Sequence, residues 1–421
     1  MTATHKKIGR WHGAGLLATT LLGTSVFILP QMTIDIASSG ALFAWVLLTL
    51  AIIPVTLVFA RLSAHFPHAA GPAYFAEKAF GQIAGRTLGL IFLLAVPLGV
   101  PAGVLMTFQF VNALVELSPT QQWVGHLGTL LLIFVLNYRG IQISAKLQLA
   151  LTILIVAVVG VLLAMLGIKG APVQFSMFEN TASISPVFVA AGLAFWSFLG
   201  VEAMAHLSED FEDPKRDLIP AMMIGTLLVG AIYVACTYIL LVFPTSSPVA
   251  MVDVFNHLVG GYGNLIIALL GIAGGIATIN VYCASAARLA WSFSEDRVLP
   301  KPFKIRNSYQ VPSRALSVLL SLMALVLTFT FLTGKSLEDL IFWVNGVFII
   351  IYFVSMLSAI KLLEKKNNLL IGLSLIFCLA IMWGLGWQMW YAVALIAITS
   401  PMLWWQKNHL DNKLIQENCV S

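Results

Sequence analysis

The sequence predicts an all-α polytopic membrane protein with twelve transmembrane helices, ten of them forming two five-helix repeats of inverted topology. Three observations predict it. Of the 421 residues, 59% are hydrophobic and only 10% charged, where a soluble domain carries about 45–50% and about 25%. The apolar residues gather into twelve runs close to the roughly 20 residues that cross about 30 Å of hydrocarbon. Two of those runs, the first and the sixth, are interrupted near their middles by glycine and small polar residues. With a mean hydropathy of +0.93, this composition excludes a soluble enzyme, a nucleic-acid binder and a disordered chain.

Lys6, Lys7 and Arg10 precede the first run, 12–37, and leave 1–11 as an N-terminal segment. The run is long, lacks a small-residue cleavage site and carries Pro30 towards its end, so it reads as an uncleaved span rather than a signal peptide. Spans 41–62, 84–115, 123–138 and 144–168 complete a first repeat, 12–168; 123–138 is short but flanked by interface residues. Spans 185–208, 218–243, 263–293, 315–333 and 337–360 make the second, 185–360. Spans 369–384 and 387–405 lie outside the repeats, and 406–421 is a tail. No remaining stretch is long enough for a soluble domain.

Charge sets the orientation. With 1–11 inside, the loops that alternate to the same side hold 21 of the 23 lysines and arginines, all but Lys169 and Lys335. That is the positive-inside rule; it supports an even number of spans and puts both termini in the cytoplasm. The net charge of +5 is therefore topology, not nucleic-acid affinity. Cys236, Cys283, Cys378 and Cys419 show no paired C-x-x-C spacing, which suggests neither a disulfide frame nor a zinc site.

In lipid every backbone polar group needs a partner, so an interrupted helix persists only where it is buried or lines a cavity. The first interruption is Leu21-Leu22-Gly23-Thr24-Ser25-Val26-Phe27, with Pro30 close behind; the second is Trp196-Ser197-Phe198-Leu199-Gly200-Val201-Glu202. Span 6 is span 1 plus five, an odd step, so the second copy starts on the opposite side of the membrane. Matched breaks of this kind mark transporters with inverted repeats and a midplane site. Small residues also serve close helix packing, which explains one break better than a matched pair.

A broken helix frees N–H groups at the start of its second half and carbonyls at the end of its first. Each end carries about half a unit charge. After Gly23, the N–H groups of Thr24, Ser25 and Val26 suit a carboxylate. The carbonyls near Leu21, Trp196, Ser197 and Leu199, beside Gly200, suit an ammonium. An α-amino acid satisfies both without a charged side chain. Glu202 is the one acid or base at midplane depth, so a charged substrate would lack a counter-charge. The walls offer Leu, Val, Phe and Met, including Met106 and Phe108, and a neutral hydrophobic amino acid is the economical substrate. Glu202 has two readings: a proton-coupling site, or a carboxylate stabilising a helix N-terminus by about 0.3–1 kcal/mol. Its i, i+4 partner His206 lacks a third ligand, so no metal is expected, and no cofactor either.

Several motifs resemble the amino acid/polyamine/organocation transporter family. Gly23-Thr24-Ser25-Val26-Phe27 is similar to its span 1 pattern, with Ser25 where the family has glycine. Pro67-His68-Ala69-Ala70-Gly71-Pro72 through Phe80-Gly81 is similar to its first inner loop, without the tyrosine common at Ala73. Asp213-Pro214-Lys215-Arg216-Asp217-Leu218-Ile219-Pro220 after span 6 and Glu295-Asp296-Arg297-Val298-Leu299-Pro300 after span 8 continue the likeness, which covers spans 1–10. The resemblance implies a LeuT-like 5+5 inverted repeat with helices 1 and 6 broken, in the bacterial inner membrane. It implies an amino-acid substrate with Trp196 as gate, an interface tryptophan being the other reading. Where some relatives carry a lysine in place of sodium, this chain has Ile155. Carbonyls near Leu22 with Thr278 are the candidates for a sodium site, and a proton is the first choice of coupling ion. Arg61, Arg288 and the acidic run 209–217 read as loop contacts, a gate or a solvated face.

Within the family the chain is similar to bacterial exporters of L-methionine and branched-chain amino acids. The expectation is a secondary active exporter of neutral hydrophobic amino acids (methionine, leucine, isoleucine, valine), with an importer as the near alternative. A membrane-embedded enzyme would need clustered catalytic groups, yet H-E-x-x-H and G-x-S-x-G do not occur, nor does a Walker loop for ATP. Matched breaks favour alternating access over a channel.

Overall fold

The computed structural model describes residues 9–68, 70–141, 145–170, 184–208, 211–245, 247 and 249–420, with backbone alone at 145 and 407–420. Lys6, Lys7, Glu209 and Asp210 lie outside them, as do the side chains of the tail. Every element among the described residues is a helix. A first stretch comprises α1 (Arg10–Leu22), α2 (Leu29–Ala37), α3 (Gly40–His65), α4 (Pro72–Phe80), α5 (Gln82–Leu114), α6 (Pro119–Tyr138) and α7 (Ala145–Lys169). A second comprises α8 (Ser185–Ala194), α9 (Ala203–His206), α10 (Ile219–Val242), α11 (Ala250–Leu258), α12 (Gly263–Glu295), α13 (Ser313–Thr333) and α14 (Leu337–Leu362). Helices α15 (Asn368–Leu385) and α16 (Trp390–Val420) follow.

The two stretches match in the lengths of their elements. Each opens on a broken helix; α3 and α10 have 26 and 24 residues, α4 and α11 have 9 each, and α5 and α12 have 33 each. Helices α6 and α13 have 20 and 21, and α7 and α14 have 25 and 26. The short helices are secured in the same crossed fashion. Lys361, at the end of α14, donates to the Ala79 carbonyl of α4 at 3.1 Å, and Lys169, at the end of α7, donates to the His257 carbonyl of α11 at 3.3 Å. Each lysine meets free carbonyls where a helix C-terminus favours a cation.

Three boundaries differ from the sequence reading. The fourth span begins at Pro119 rather than 123, because Ser118 and Gln121 form a reciprocal capping box ahead of the apolar run. Helices α4 and α11 occupy stretches read as loops. Helix α16 runs on through the tail. Nine helices among the described residues are long and apolar enough to cross a membrane, ten when the pair α1–α2, bent by 56°, is taken together. One of the nine, 365–406, covers both final expected spans, and the polar-flanked α6 is not among them.

Two apolar cores hold the bundle. One gathers α1–α3, α8, α10, α14 and α15; the other joins faces of α5 and α12 to α6 and α13. Lipid gives no hydrophobic force between helices, so contact depends on close fit. Gly271 accordingly receives the Phe110 ring and Gly89 the Phe293 ring, where a Cβ has no room. The expected span-5 departure, Ile155, is buried in the first core.

Candidate functional site

The first break starts at Gly23, whose φ of +39° ends α1 in a conformation that favours glycine. Ser25–Phe27 form one 3₁₀ turn and α2 resumes at Leu29, with Pro30 in its first turn, where a missing N–H costs nothing. The freed carbonyls are met by Ser25 in the break and by Tyr233 of α10. Ser25 donates to the Leu22 carbonyl at 3.2 Å, and the Tyr233 hydroxyl lies 2.7 Å from Ser25 Oγ and 3.4 Å from the Leu21 carbonyl. Tyr233 is itself fixed by stacking on Trp45, ring centroids 4.4 Å apart.

The second break follows α8. Phe195–Phe198 tighten into a 3₁₀ turn, Leu199 is extended, and Gly200 takes φ +128° before α9. Ser197 donates to the Ala194 carbonyl at 2.8 Å and the Leu199 N–H to the Trp196 carbonyl at 3.1 Å. A Cβ on Gly200 would lie 2.8 Å from Thr20 Cγ2 and 3.0 Å from Leu21 Cδ2, so the two breaks touch there. Glu202 is 1% exposed. Its Oε2 accepts the Gly200 N–H at 2.9 Å and lies 2.5 Å from the Tyr352 hydroxyl, which also lies 2.9 Å from the Phe198 carbonyl. Glu202 precedes α9 but makes no capping bond to it; it satisfies the backbone on the other side of the break.

Between the breaks lies a cavity of about 80 Å³, on the seam of the two cores. Of the expected residues, Leu21, Gly23, Thr24, Ser25, Met106, Trp196, Leu199 and Thr278 line it. Val26, Ser197 and Glu202 are buried outside the lining, Gly200 serves the contact with α1, and Phe108 packs edge-on against His126. The sequence reading missed the opposite wall: Ala95, Val96, Gly99, Val100 and Gly103 of α5, Gly275, Ile279 and Tyr282 of α12, Val344 and Phe348 of α14. Their i, i+3, i+4 spacing within α5 was the available signal, but in a helix apolar on every side it does not single out one face. No lining residue is charged.

The family model for amino acid permeases matches residues 8–415. The chain belongs to the amino acid permease family. It is 34% identical over 408 residues, 94% of this chain and 96% of the other, to the L-methionine/branched-chain amino acid exporter YjeH of Escherichia coli K12. It is 26% identical over 397 residues (91% and 92%) to the uncharacterized amino acid permease YecA of Bacillus subtilis 168. It is 23% identical over 399 residues (85% and 84%) to the cadaverine/lysine antiporter of Escherichia coli K12. The family resemblance read from the motifs is thus borne out, and the permease is a membrane transporter rather than an enzyme.

Other expected residues of the permease fall as follows. Thr278 Oγ1 stands 3.4 Å from a Cβ position on Gly23, so the span-8 hydroxyl does face the first break. Arg61 donates to Asn367 Oδ1 near the start of α15, and Arg288 to its own helix at the Ala284 carbonyl, 3.3 Å away. Within the acidic run, Asp217 pairs with Arg10 at 3.3 Å and Asp213 accepts the Lys215 and Arg216 N–H groups. His206 packs its ring over Gly71 in the first short loop.

Proposed function

We propose that this permease is a secondary active exporter of neutral hydrophobic amino acids, with methionine, leucine, isoleucine and valine as substrates. The observation that carries the reading is the cavity wall: backbone of the first break on one side, aliphatic and aromatic side chains on the other, and no charge. The substrate carboxylate meets the N–H groups of Thr24 and Ser25, and its ammonium meets the carbonyl end at Leu21. Its side chain lies against Val96, Val100 and Met106, with Gly99 and Gly103 leaving room. Each buried methylene contributes about 0.8 kcal/mol, so leucine and methionine outcompete alanine and glycine. The similarity to a methionine and branched-chain exporter supports methionine and the outward direction.

Twelve spans follow when α1–α2 count as one, 365–406 as two, and α6 is included. The matched element lengths support two inverted five-helix repeats, 12–168 and 185–360, with both termini cytoplasmic. A cavity on the seam of two separately packed cores supports alternating access by movement of one core against the other, with Trp196 as the gate. Glu202 is the proposed proton site. The Tyr352 hydroxyl has one proton and two acceptors in reach. With Glu202 ionised, Tyr352 donates to the carboxylate; with Glu202 protonated, Glu202 donates to Tyr352 and Tyr352 to the Phe198 carbonyl. Proton binding is thereby tied to the bonding of the second break. Sodium held at Thr278 and the first break is a second reading, favoured by their proximity.

Sealed vesicles loaded with labelled amino acids, with sodium and proton gradients varied separately, test substrate, direction and ion together. Leucine and methionine flux driven by a proton gradient is expected; preference for lysine or glutamate overturns the cavity argument. A reporter fused after Lys413 should be active only in the cytoplasm, and one inserted at Gly261 only outside.

A further inference from the structure

We propose that Asn345 of α14 is a positioning residue that sets the place of Trp196 over the substrate cavity, an inference resting on the transport reading above. A helix that stops inside a membrane leaves its last carbonyls short of intrahelical donors, and lipid offers none in their place. Helix α8 stops at Ala194. The carbonyls of Gly192 and of Leu193, the latter also accepting the Phe195 N–H, each take a bond from the Asn345 side-chain amide, at 2.7 and 3.1 Å. Asn345 is fully buried. Gly192 has no side chain, and a Cβ there would press on the backbone of Gly384 and Leu385, at 3.3 and 3.4 Å.

The bond joins two parts of the cavity wall. Three residues beyond Leu193, the 3₁₀ turn carries Trp196; one residue before Asn345, Val344 reaches the cavity. The tip of the Trp196 ring and both Val344 methyls lie 3.9 Å from a single point, the Cβ position on Gly99 of α5. Asn345 therefore ties the backbone segment bearing the tryptophan to the helix bearing the valine, where both close over α5. The amide orientation is dictated by chemistry: only its nitrogen can donate, and both partners are carbonyls.

Three variants test this. Asn345→Leu keeps the volume and removes both donors. With insertion unchanged, the KM for leucine should rise about tenfold, the scale of one or two buried hydrogen bonds, while maximal rate per inserted protein stays within about twofold. Asn345→Asp carries a donor only when protonated, so its KM should approach wild type as pH falls from about 8 to about 6, beyond any pH trend of the wild-type protein. A cysteine at Gly99, where a Cβ meets only ordinary contacts, should be alkylated several-fold faster with Asn345→Leu than with Asn345. That readout needs no transported substrate. Equal alkylation rates, or variants that lose maximal rate with unchanged KM and no pH-dependent recovery, overturn the positioning role. Wild-type protein that moves no neutral amino acid overturns the transport reading instead, and leaves the alkylation comparison to judge Asn345.

Discussion

The two helix breaks face one problem, free backbone groups in a medium without water, and meet it in different ways. At the first, Tyr233 of α10 reaches Ser25 and the Leu21 carbonyl, Ser25 takes the Leu22 carbonyl, and Leu21, Gly23, Thr24 and Ser25 line the cavity. At the second, only Trp196 and Leu199 reach the cavity, while Asn345, Ser197 and the Tyr352–Glu202 pair occupy the freed carbonyls and N–H groups. An unsatisfied buried polar group costs about 1–3 kcal/mol, so a break keeps open groups only where a ligand supplies the partner. The first break therefore suits the proposed substrate, while the second is closed mainly by protein groups and holds Glu202, a fully buried acid.

The largest expected effects fall on Gly23 and Gly200, the positive-φ glycines of the two breaks. Gly23→Val forces a β-branched residue into that conformation, and Gly200→Val adds a collision with Thr20 and Leu21. Both should abolish leucine binding while the protein still inserts, measured by labelled-leucine binding and by size-exclusion profile in detergent. Wild-type transport by Gly23→Val would mean that the first break is not the substrate face.

Next in size is Glu202→Gln, which retains a neutral hydrogen-bonding group in place of the acid. Substrate exchange should persist while net transport loses its dependence on the proton gradient, read in vesicles at stepped pH. A wild-type pH profile would leave Glu202 as a purely structural part of the second break.

The paired hydroxyl deletions divide the breaks more finely. Tyr233→Phe releases Ser25 and should raise the leucine KM several-fold with an unmoved pH profile. Tyr352→Phe should shift the pH profile with KM within about twofold. The same change in both variants would erase the distinction between the breaks. Smallest is Thr24→Ala, since the proposed contact runs through the backbone N–H; its KM should change by less than about threefold, and a total loss would assign the recognition to the hydroxyl instead.

Much of the fold was legible because lipid restricts the choices: apolar runs must be helices, and Gly23 and Gly200 lie where an uninterrupted run would have none of their flanking polar neighbours. The half of the site on the breaks was legible for the same reason, through Thr24, Ser25 and Trp196. The wall on α5, α12 and α14 was not. Gly99, Gly103 and Val344 sit in helices apolar all round, where hydropathy carries no information about which face meets a neighbour, lipid or a cavity.

The sequence by itself determined the class, the membrane, the places of both breaks and the one deep carboxylate, since each is a property of a local run of residues. The tertiary structure alone decided what satisfies each break. Tyr233, Asn345 and Tyr352 lie 208, 153 and 150 residues from partners they bond, and pairings over such distances are set by how helices pack, a choice no local pattern encodes.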